Sequence, residues 1–121
     1  MGTRQIIHIE SGQTLIAAAK WCDSYGSKLR GFTFRRRLGL EDGLVLVEKS
    51  DSKMNTSIHM LFVFFDLGVI WVNEAGDVVG TALAKSWRPS YVPPQPACYV
   101  IEGHPTILQK VQPGDHLQFK E

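Results

Sequence analysis

The sequence lacks the features that mark several common protein classes. Its formal charge at pH 7 is only +1, from 13 basic and 12 acidic residues. A nucleic-acid-binding domain usually has a clear basic excess that attracts phosphates, so we expect no nucleic-acid partner. We interpret the basic residues that do cluster as a solvated surface and not as a phosphate site; they are Lys28, Arg30, Arg35, Arg36 and Arg37.

Cysteine is scarce, because the 121 residues contain only Cys22 and Cys98. Two thiols do not make a disulfide scaffold, and we interpret each as a small core residue. Three of the histidines, His8, His104 and His116, are scattered without His-x-His spacing. The sequence therefore predicts no zinc site, and we expect no metal and no other cofactor.

Long apolar runs are also missing. The longest covers residues 60–65, far short of the roughly 18 residues that span a bilayer. The first 15 residues lack the apolar stretch of a signal peptide. We expect a single domain, residues 1–121, with no membrane span and a cytoplasmic location as written.

The common catalytic and nucleotide-binding motifs are absent: G-x-S-x-G, H-E-x-x-H, the P-loop and G-x-G-x-x-G. A catalytic triad assembled by the fold stays open, because such residues need not be neighbours in sequence.

The residues that are present indicate a β fold. Turn signals recur at short intervals with apolar, β-favouring runs between them. We predict strands at residues 5–9, 44–47, 57–65, 69–73, 77–83, 98–102 and 116–119, and helical turns at 24–31 and 105–110. Residues 14–22 stay open between helix, which their alanines favour, and strand. The predicted fold is a small antiparallel β-sandwich or partly closed barrel with one or two short helices.

Residues 85–96, KSWRPSYVPPQP, hold four of the six prolines and cannot form a central strand, because proline lacks the donor that a sheet needs. We expect an ordered surface crossing, with Trp87 and Tyr91 packing it down. A restricted loop with aromatics and an arginine often carries binding.

Several motifs occur in a recognisable order: SKLRGF, GLEDGLVLV, SIHMLFVFF, VIWVNEAGDVV, SWRP, ACYVIE and VQPGDHLQF. In this order and spacing, from about Asp23 to Phe119, the chain resembles the uncharacterised family called domain of unknown function 192. The resemblance implies a compact, mainly β domain with no established activity. Many relatives look exported or membrane-tethered, whereas this chain shows no leader.

The chain departs from the family pattern at two places. Many relatives have a carboxylate where this chain has Gly68, which weakens any chemistry assigned to that group unless Asp66 substitutes for it. Many also have a cysteine before S-I-H, where this chain has SDSKMNT, so a Cys-His pair is absent there.

His59 is the leading candidate for a functional side chain. On a strand at residues 57–65 it would share one face with Ser57, Leu61 and Val63, opposite an apolar face that ends in Phe62 and Phe64. It could bind a ligand or transfer protons near neutral pH. The alternative, which we favour, is a histidine hydrogen-bonded to a neighbouring loop.

The other ligand-binding candidates are Asn55, Thr56, Trp87, Arg88 and Arg30. Arg88 and Arg30 could hold a carboxylate or phosphate, while Asn55 and Thr56 more often cap a loop. The interpretation we adopt is a small, non-enzymatic binding or accessory module for a small ligand or a protein partner. A hydrolase or lyase using His59 and Arg88, and a homodimer built on an exposed strand edge, are the alternatives.

Overall fold

The structure is a computed structural model that describes residues 2–24 and 37–121. In this part of the chain seven strands and one short 3-10 helix, Pro105–Gln109, follow each other. The strands are β1 (Thr3–His8), β2 (Thr14–Cys22), β3 (Gly43–Ser52), β4 (Leu67–Val72), β5 (Val78–Ala84), β6 (Ala97–Gly103) and β7 (Leu117–Lys120). The prediction of a mainly β fold is confirmed, while the helical turn predicted at 24–31 lies outside the described residues except for Ser24.

All seven strands belong to one sheet, in the order β5-β4-β6-β3-β2-β1-β7. Neighbouring strands are antiparallel except for β2 and β3, which run parallel. The sheet curls into a half-barrel, so of the two predicted arrangements the partly closed barrel is the one that forms.

The two edges of the sheet meet where β5 begins and β7 begins. An isolated bridge joins Asp77 to His116. Beside it, the Val78 N–H donates to the Asp115 carbonyl at 2.8 Å and the Leu117 N–H donates to the Gly76 carbonyl at 2.9 Å. We call this junction, residues 76–78 with 114–117, the seam. Pairing the two edges satisfies backbone groups that an open sheet would leave exposed.

Ion pairs reinforce the seam. The ring of His116 contacts Glu10 through Nδ1 at 2.5 Å and Asp77 through Nε2 at 3.0 Å. The hydrogen bond from His116 lowers the pKa of Glu10 to about 2, and the same hydrogen bond raises the pKa of His116. An imidazolium that donates from both nitrogens therefore links the β1–β2 turn to the seam.

Apolar side chains pack on both faces of the curled sheet. One cluster is built around Ile6, Ile70 and Ile101 and includes Ile107 of the 3-10 helix. The other is built around Val69, Val100 and Trp71 of the sheet and includes Ile58 and Met60, which come from a loop. Strand β4 is buried along its whole length because its two faces contribute to different clusters. The second face therefore needs loop residues as its cover.

Strand β2 resolves the open choice at residues 14–22 in favour of a strand. It pairs with β1 on one side and with β3 on the other. The helix propensity of its alanines is a weak preference that hydrogen bonding to two neighbouring strands overrides.

The strand predicted at residues 57–65 is wrong. Only Ile58 forms a bridge, with Tyr91, and a turn follows in which the Val63 N–H donates to the Met60 carbonyl at 3.1 Å. The expected alternation holds for Ile58 and Met60, which are buried, and then fails at Phe62, which is exposed. Phe62 has a φ of 62°, in the left-handed region that no strand residue adopts.

Both cysteines are buried as separate reduced thiols, in agreement with their interpretation as core residues. No helix in the described ranges has the length and apolar character that crossing a bilayer requires.

Glu102 is the buried carboxyl of the described core. It lies on β6 between Leu44 of β3 and Val69 of β4 and is only 6% exposed. Removal from water penalises its charged form and raises the pKa of Glu102 to about 7. The folded protein therefore holds this proton more tightly than the unfolded chain does.

This burial predicts a pH-dependent stability. A carboxyl whose pKa is raised on folding favours the folded state fully below its unfolded pKa of about 4.5, and that advantage is lost as the pH rises to about 7. We expect Glu102→Gln to match the wild type near pH 4 and to exceed it by up to roughly 3 kcal/mol near pH 8. Denaturant unfolding across this pH range measures the difference.

Glu74→Gln is the matched control, because Glu74 is an exposed glutamate on the β4–β5 turn. If the free energies of unfolding of the wild type and of Glu102→Gln differ by the same amount at pH 4 and at pH 8, the pKa of Glu102 is not raised by burial.

Candidate functional site

Two loops that are distant in sequence pair with each other on the second face of the sheet. We call residues 57–66 the aromatic loop and residues 85–96 the proline loop. The N–H groups of Ile58 and Tyr91 donate to each other's carbonyls at 2.9 and 2.8 Å. The Met60 N–H donates to the Arg88 carbonyl, and the Trp87 N–H donates to the Met60 carbonyl, both at 2.8 Å.

Polar anchors hold the ends of both loops. The Asp66 carboxylate accepts from the Ser86 N–H at 2.9 Å and from the Lys85 ammonium at 3.4 Å. The Tyr91 hydroxyl accepts from the Lys85 N–H at 2.7 Å. The two loops are therefore one hydrogen-bonded unit whose inner side chains, Ile58 and Met60, fill the core.

The outer surface of this unit is an aromatic cluster, formed by Phe62, Phe64 and Trp87. The Trp87 ring meets the Phe62 ring at 5.1 Å and the Phe64 ring at 5.7 Å, in both cases edge to face. The three residues are 45%, 47% and 47% exposed. Each ring contact contributes about 0.5–1.5 kcal/mol beyond its buried area, so the rings hold one another in place while half of each stays accessible.

Backbone strain coincides with this cluster. Phe62 and Trp87, with φ of 62° and 67°, are the non-glycine residues with positive φ in the described chain. Such a conformation costs a bulky residue about 1–3 kcal/mol, and it concentrates at binding and catalytic sites. Two large aromatic residues thus stand at positions where glycine would cost least.

His59 and Arg88 lie on these same two loops, and both are exposed. Nδ1 of His59 accepts a hydrogen bond from the Leu61 N–H at 3.2 Å, which fixes the turn that follows. Arg88 uses its backbone carbonyl to hold Met60. The structure thus brings together three of the predicted site residues, His59, Trp87 and Arg88, on one loop pair.

Asn55 and Thr56 lie in the turn that precedes the aromatic loop. Thr56 is 1% exposed, its hydroxyl donates to the Ser52 carbonyl, and its own carbonyl accepts from the Trp71 indole at 2.8 Å. Asn55 is exposed, and its N–H donates to the Ser52 hydroxyl at 3.1 Å. These contacts stabilise the turn. Arg30, the remaining predicted residue, lies outside the described residues.

Gly68 lies where no side chain fits without movement. A Cβ there would come within 2.9 Å of the Ile107 side chain and 3.0 Å of the His104 carbonyl. The 3-10 helix occupies the space that a carboxylate would need. Asp66 is nearby in sequence, but its carboxylate is engaged with Ser86 and Lys85.

The sequence interpretation missed the exposure of Phe62 and Phe64, because a strict two-residue period placed both in the core. One signal could have revealed it. A strand at residues 57–65 would have nine residues, longer than the usual length of about five or six, and only Asp66, Leu67 and Gly68 separate it from the next predicted strand. A break inside the apolar run was therefore to be expected.

Comparison with known proteins places the chain in a family. The model of domain of unknown function 192 (DUF192), described as "Uncharacterized ACR", matches residues 6–119. The UPF0127 protein TK1120 of Thermococcus kodakarensis is 32% identical over 112 residues, covering 91% of this chain and 69% of the relative. The UPF0127 protein PF1050 of Pyrococcus furiosus is 28% identical, covering 94% of this chain and 97% of the relative.

Two solved structures share the fold. A protein from Sinorhizobium meliloti, named as a candidate transcription regulator, superposes with a TM-score of 0.83 at 17% identity, covering 98% of this chain and 92% of that one. A protein of unknown function from Novosphingobium aromaticivorans gives 0.78 at 19% identity, with 96% and 83% covered. At these identities the likeness concerns the fold alone, whereas the match along residues 6–119 shows descent: the chain belongs to the DUF192 family.

Proposed function

We propose that the protein is a non-enzymatic binding module that docks a protein partner through the aromatic cluster. The observation that carries this proposal is the coincidence of strain and exposure at Phe62 and Trp87. Strain at a buried residue is explained by packing, whereas these rings leave about half of their surface in solvent and gain only part of the packing energy that full burial would give. A binding function that uses the exposed rings accounts for large aromatic residues at two strained positions.

The composition of the surface fits a protein partner. Trp, Phe and Arg are enriched at the centres of protein interfaces, where a few large side chains supply most of the binding energy. Here Trp87 is followed by Arg88, and both belong to a loop pair that is already ordered by hydrogen bonds. A preordered loop loses little conformational entropy on binding, which raises affinity.

The exposed rings and the basic side chains beside them indicate what the partner's surface should contain. Tilted, edge-to-face rings form an irregular apolar surface, which suits a recess lined by aliphatic and aromatic side chains. Arg88 and Lys85 add positive charge at the border, and Lys85 is partly balanced by Asp66. We therefore expect an apolar recess with an acidic rim on the partner.

The geometry at His59 does not favour the hydrolase or lyase alternative. Because Nδ1 accepts the Leu61 N–H, the neutral ring carries its proton on Nε2. The accessible nitrogen is then a donor, whereas a general base needs an accessible lone pair.

Site-directed photo-cross-linking in living cells tests the binding proposal. A benzoylphenylalanine at position 64 keeps an aromatic ring in the cluster and is expected to form one discrete protein adduct. The same probe at Ile9, which is 53% exposed on the β1–β2 turn, serves as the control and is expected not to form it. A second substitution, Trp87→Ala, should abolish the adduct at position 64.

Binding of the partner identified in this way is then measured with purified proteins. We expect Trp87→Ala to weaken affinity at least about 30-fold, as a central aromatic residue does. Arg88→Glu should slow association, most strongly at low salt. Equal adducts at positions 9 and 64, or an unchanged affinity for Trp87→Ala in a folded variant, would refute the proposal.

A separate prediction concerns the strain itself. At Phe62, glycine should be more stable than alanine by about 1 kcal/mol, because both lose the ring but only glycine relaxes at positive φ. Phe64 has no positive φ, so alanine should equal or exceed glycine there. Thermal unfolding of the four variants gives the comparison, and the same order of alanine and glycine at both positions would disprove strain at Phe62.

A further inference from the structure

A second cluster of chemically active side chains lies at the seam, independent of the aromatic cluster. His8 ends β1, Glu10 lies in the β1–β2 turn, and Asp115 precedes β7. Nε2 of His8 is 2.7 Å from Oδ2 of Asp115 and 3.7 Å from Oε1 of Glu10. One donor atom from each of the three residues lies within 4.8 Å of the others.

These separations suit a shared metal ion. A metal about 2.1 Å from each donor requires donors roughly 3.0–3.5 Å apart. The observed 2.7 and 3.7 Å lie on either side of that range. The Asp115 and Glu10 donors lie within 4.8 Å of each other, so rotation of the two carboxylate side chains is what would bring all three donors into this range.

Neighbouring groups already orient the three ligands. Nε2 of His8 donates to Asp115 at 2.7 Å, and a metal would replace that proton, while the Ser11 hydroxyl, 2.7 Å from Nδ1, can accept the proton that the neutral ring then carries on Nδ1. The Gln112 N–H donates to Asp115 at 3.0 Å, and the His116 N–H donates to Glu10 at 2.9 Å. Metal ligands in proteins are generally held by outer hydrogen bonds of this kind.

Burial and access also fit a metal site. The side chains of His8 and Asp115 are only 13% and 15% exposed, while that of Glu10 is 41% exposed. A pocket of about 220 Å³ opens beside His8, which lines it together with Ser11, Gln109 and Lys110. A metal held by His8 and the two carboxylates would keep a fourth position for water or a small ligand.

We propose that His8, Glu10 and Asp115 bind a divalent transition metal of the Zn²⁺ type. The imidazole nitrogen disfavours Ca²⁺ and Mg²⁺, which prefer oxygen ligands alone. The two carboxylates balance the charge of the ion, and the site joins the β1–β2 turn to the residue before β7. Metal binding therefore ties the hairpin to the seam.

Metal titration of the purified chain, stripped with EDTA, tests the site. We expect one equivalent of Zn²⁺ by calorimetry and one equivalent of Co²⁺ by its visible absorption bands. Zn²⁺ should raise the melting temperature by several degrees, because it binds only the folded state, and Mg²⁺ should not raise it.

Matched variants assign the ligands. His8→Gln, Glu10→Gln and Asp115→Asn should each weaken Zn²⁺ binding at least tenfold and remove the Co²⁺ bands. The amide oxygens that the last two substitutions introduce can still accept the backbone hydrogen bonds made to these positions, so the fold is kept. His59→Gln changes an exposed histidine on the aromatic loop and should bind Zn²⁺ as the wild type does.

Two results of the Zn²⁺ titrations would overturn the proposal. Absence of a one-to-one Zn²⁺ complex in the folded wild type would leave the cluster as a hydrogen-bonded network that closes the seam. Unchanged Zn²⁺ affinity in a folded His8→Gln variant would place the metal elsewhere. Either outcome leaves the aromatic cluster proposal untouched, because the two sites share no residue.

Discussion

Closure of the seam is the constraint on which the rest of the structure depends. Once the starts of β5 and β7 pair, the sheet curls, and one of its faces encloses the cluster around Ile70 and Ile101. The other face is then convex and carries Val69 and Val100, which need a cover. The aromatic and proline loops supply that cover with Ile58 and Met60. Their outward-facing residues are thereby placed in one patch, so closure on one face creates the candidate binding surface on the other.

The aromatic cluster illustrates how a loop can be rigid and strained at once. Four backbone hydrogen bonds and the Asp66 anchor hold the loop pair, and each bond contributes only about 0.5–1.5 kcal/mol. Together they are of the same size as the strain at Phe62 and Trp87, which costs about 1–3 kcal/mol at each residue, and the burial of Ile58 and Met60 adds to them. Neither residue could keep its φ in an isolated peptide. The exposed rings therefore depend on the pairing of two segments nearly thirty residues apart.

Local patterns predicted most of the sheet. The hairpin of β4 and β5 was expected from two apolar runs around Gly76, and Gly76 has the positive φ that the turn requires. The run at residues 57–65 failed because its composition favours a strand while its hydrogen-bond partners are in the proline loop. His59, Trp87 and Arg88 could be selected by residue type. Their adjacency could not, because nothing local in the sequence records which loops pair.

The histidines also show that sequence spacing does not reveal which distant residues the fold brings together. The sequence predicted no metal site because the histidines lack the spacing of metal ligands, whereas His8 lies close to Asp115, 107 positions away in sequence. The pairing of β1 with β7 brings them together, through backbone hydrogen bonds that involve neither side chain. A cluster assembled in this way is held by the fold before any ion arrives. An ion bound there would in turn favour the closed sheet, because the unfolded chain cannot present the three ligands together. Metal binding and folding would then be linked, because occupancy of the site would add to the stability of the folded sheet, whereas the aromatic cluster shares none of the three residues and takes no part in this linkage.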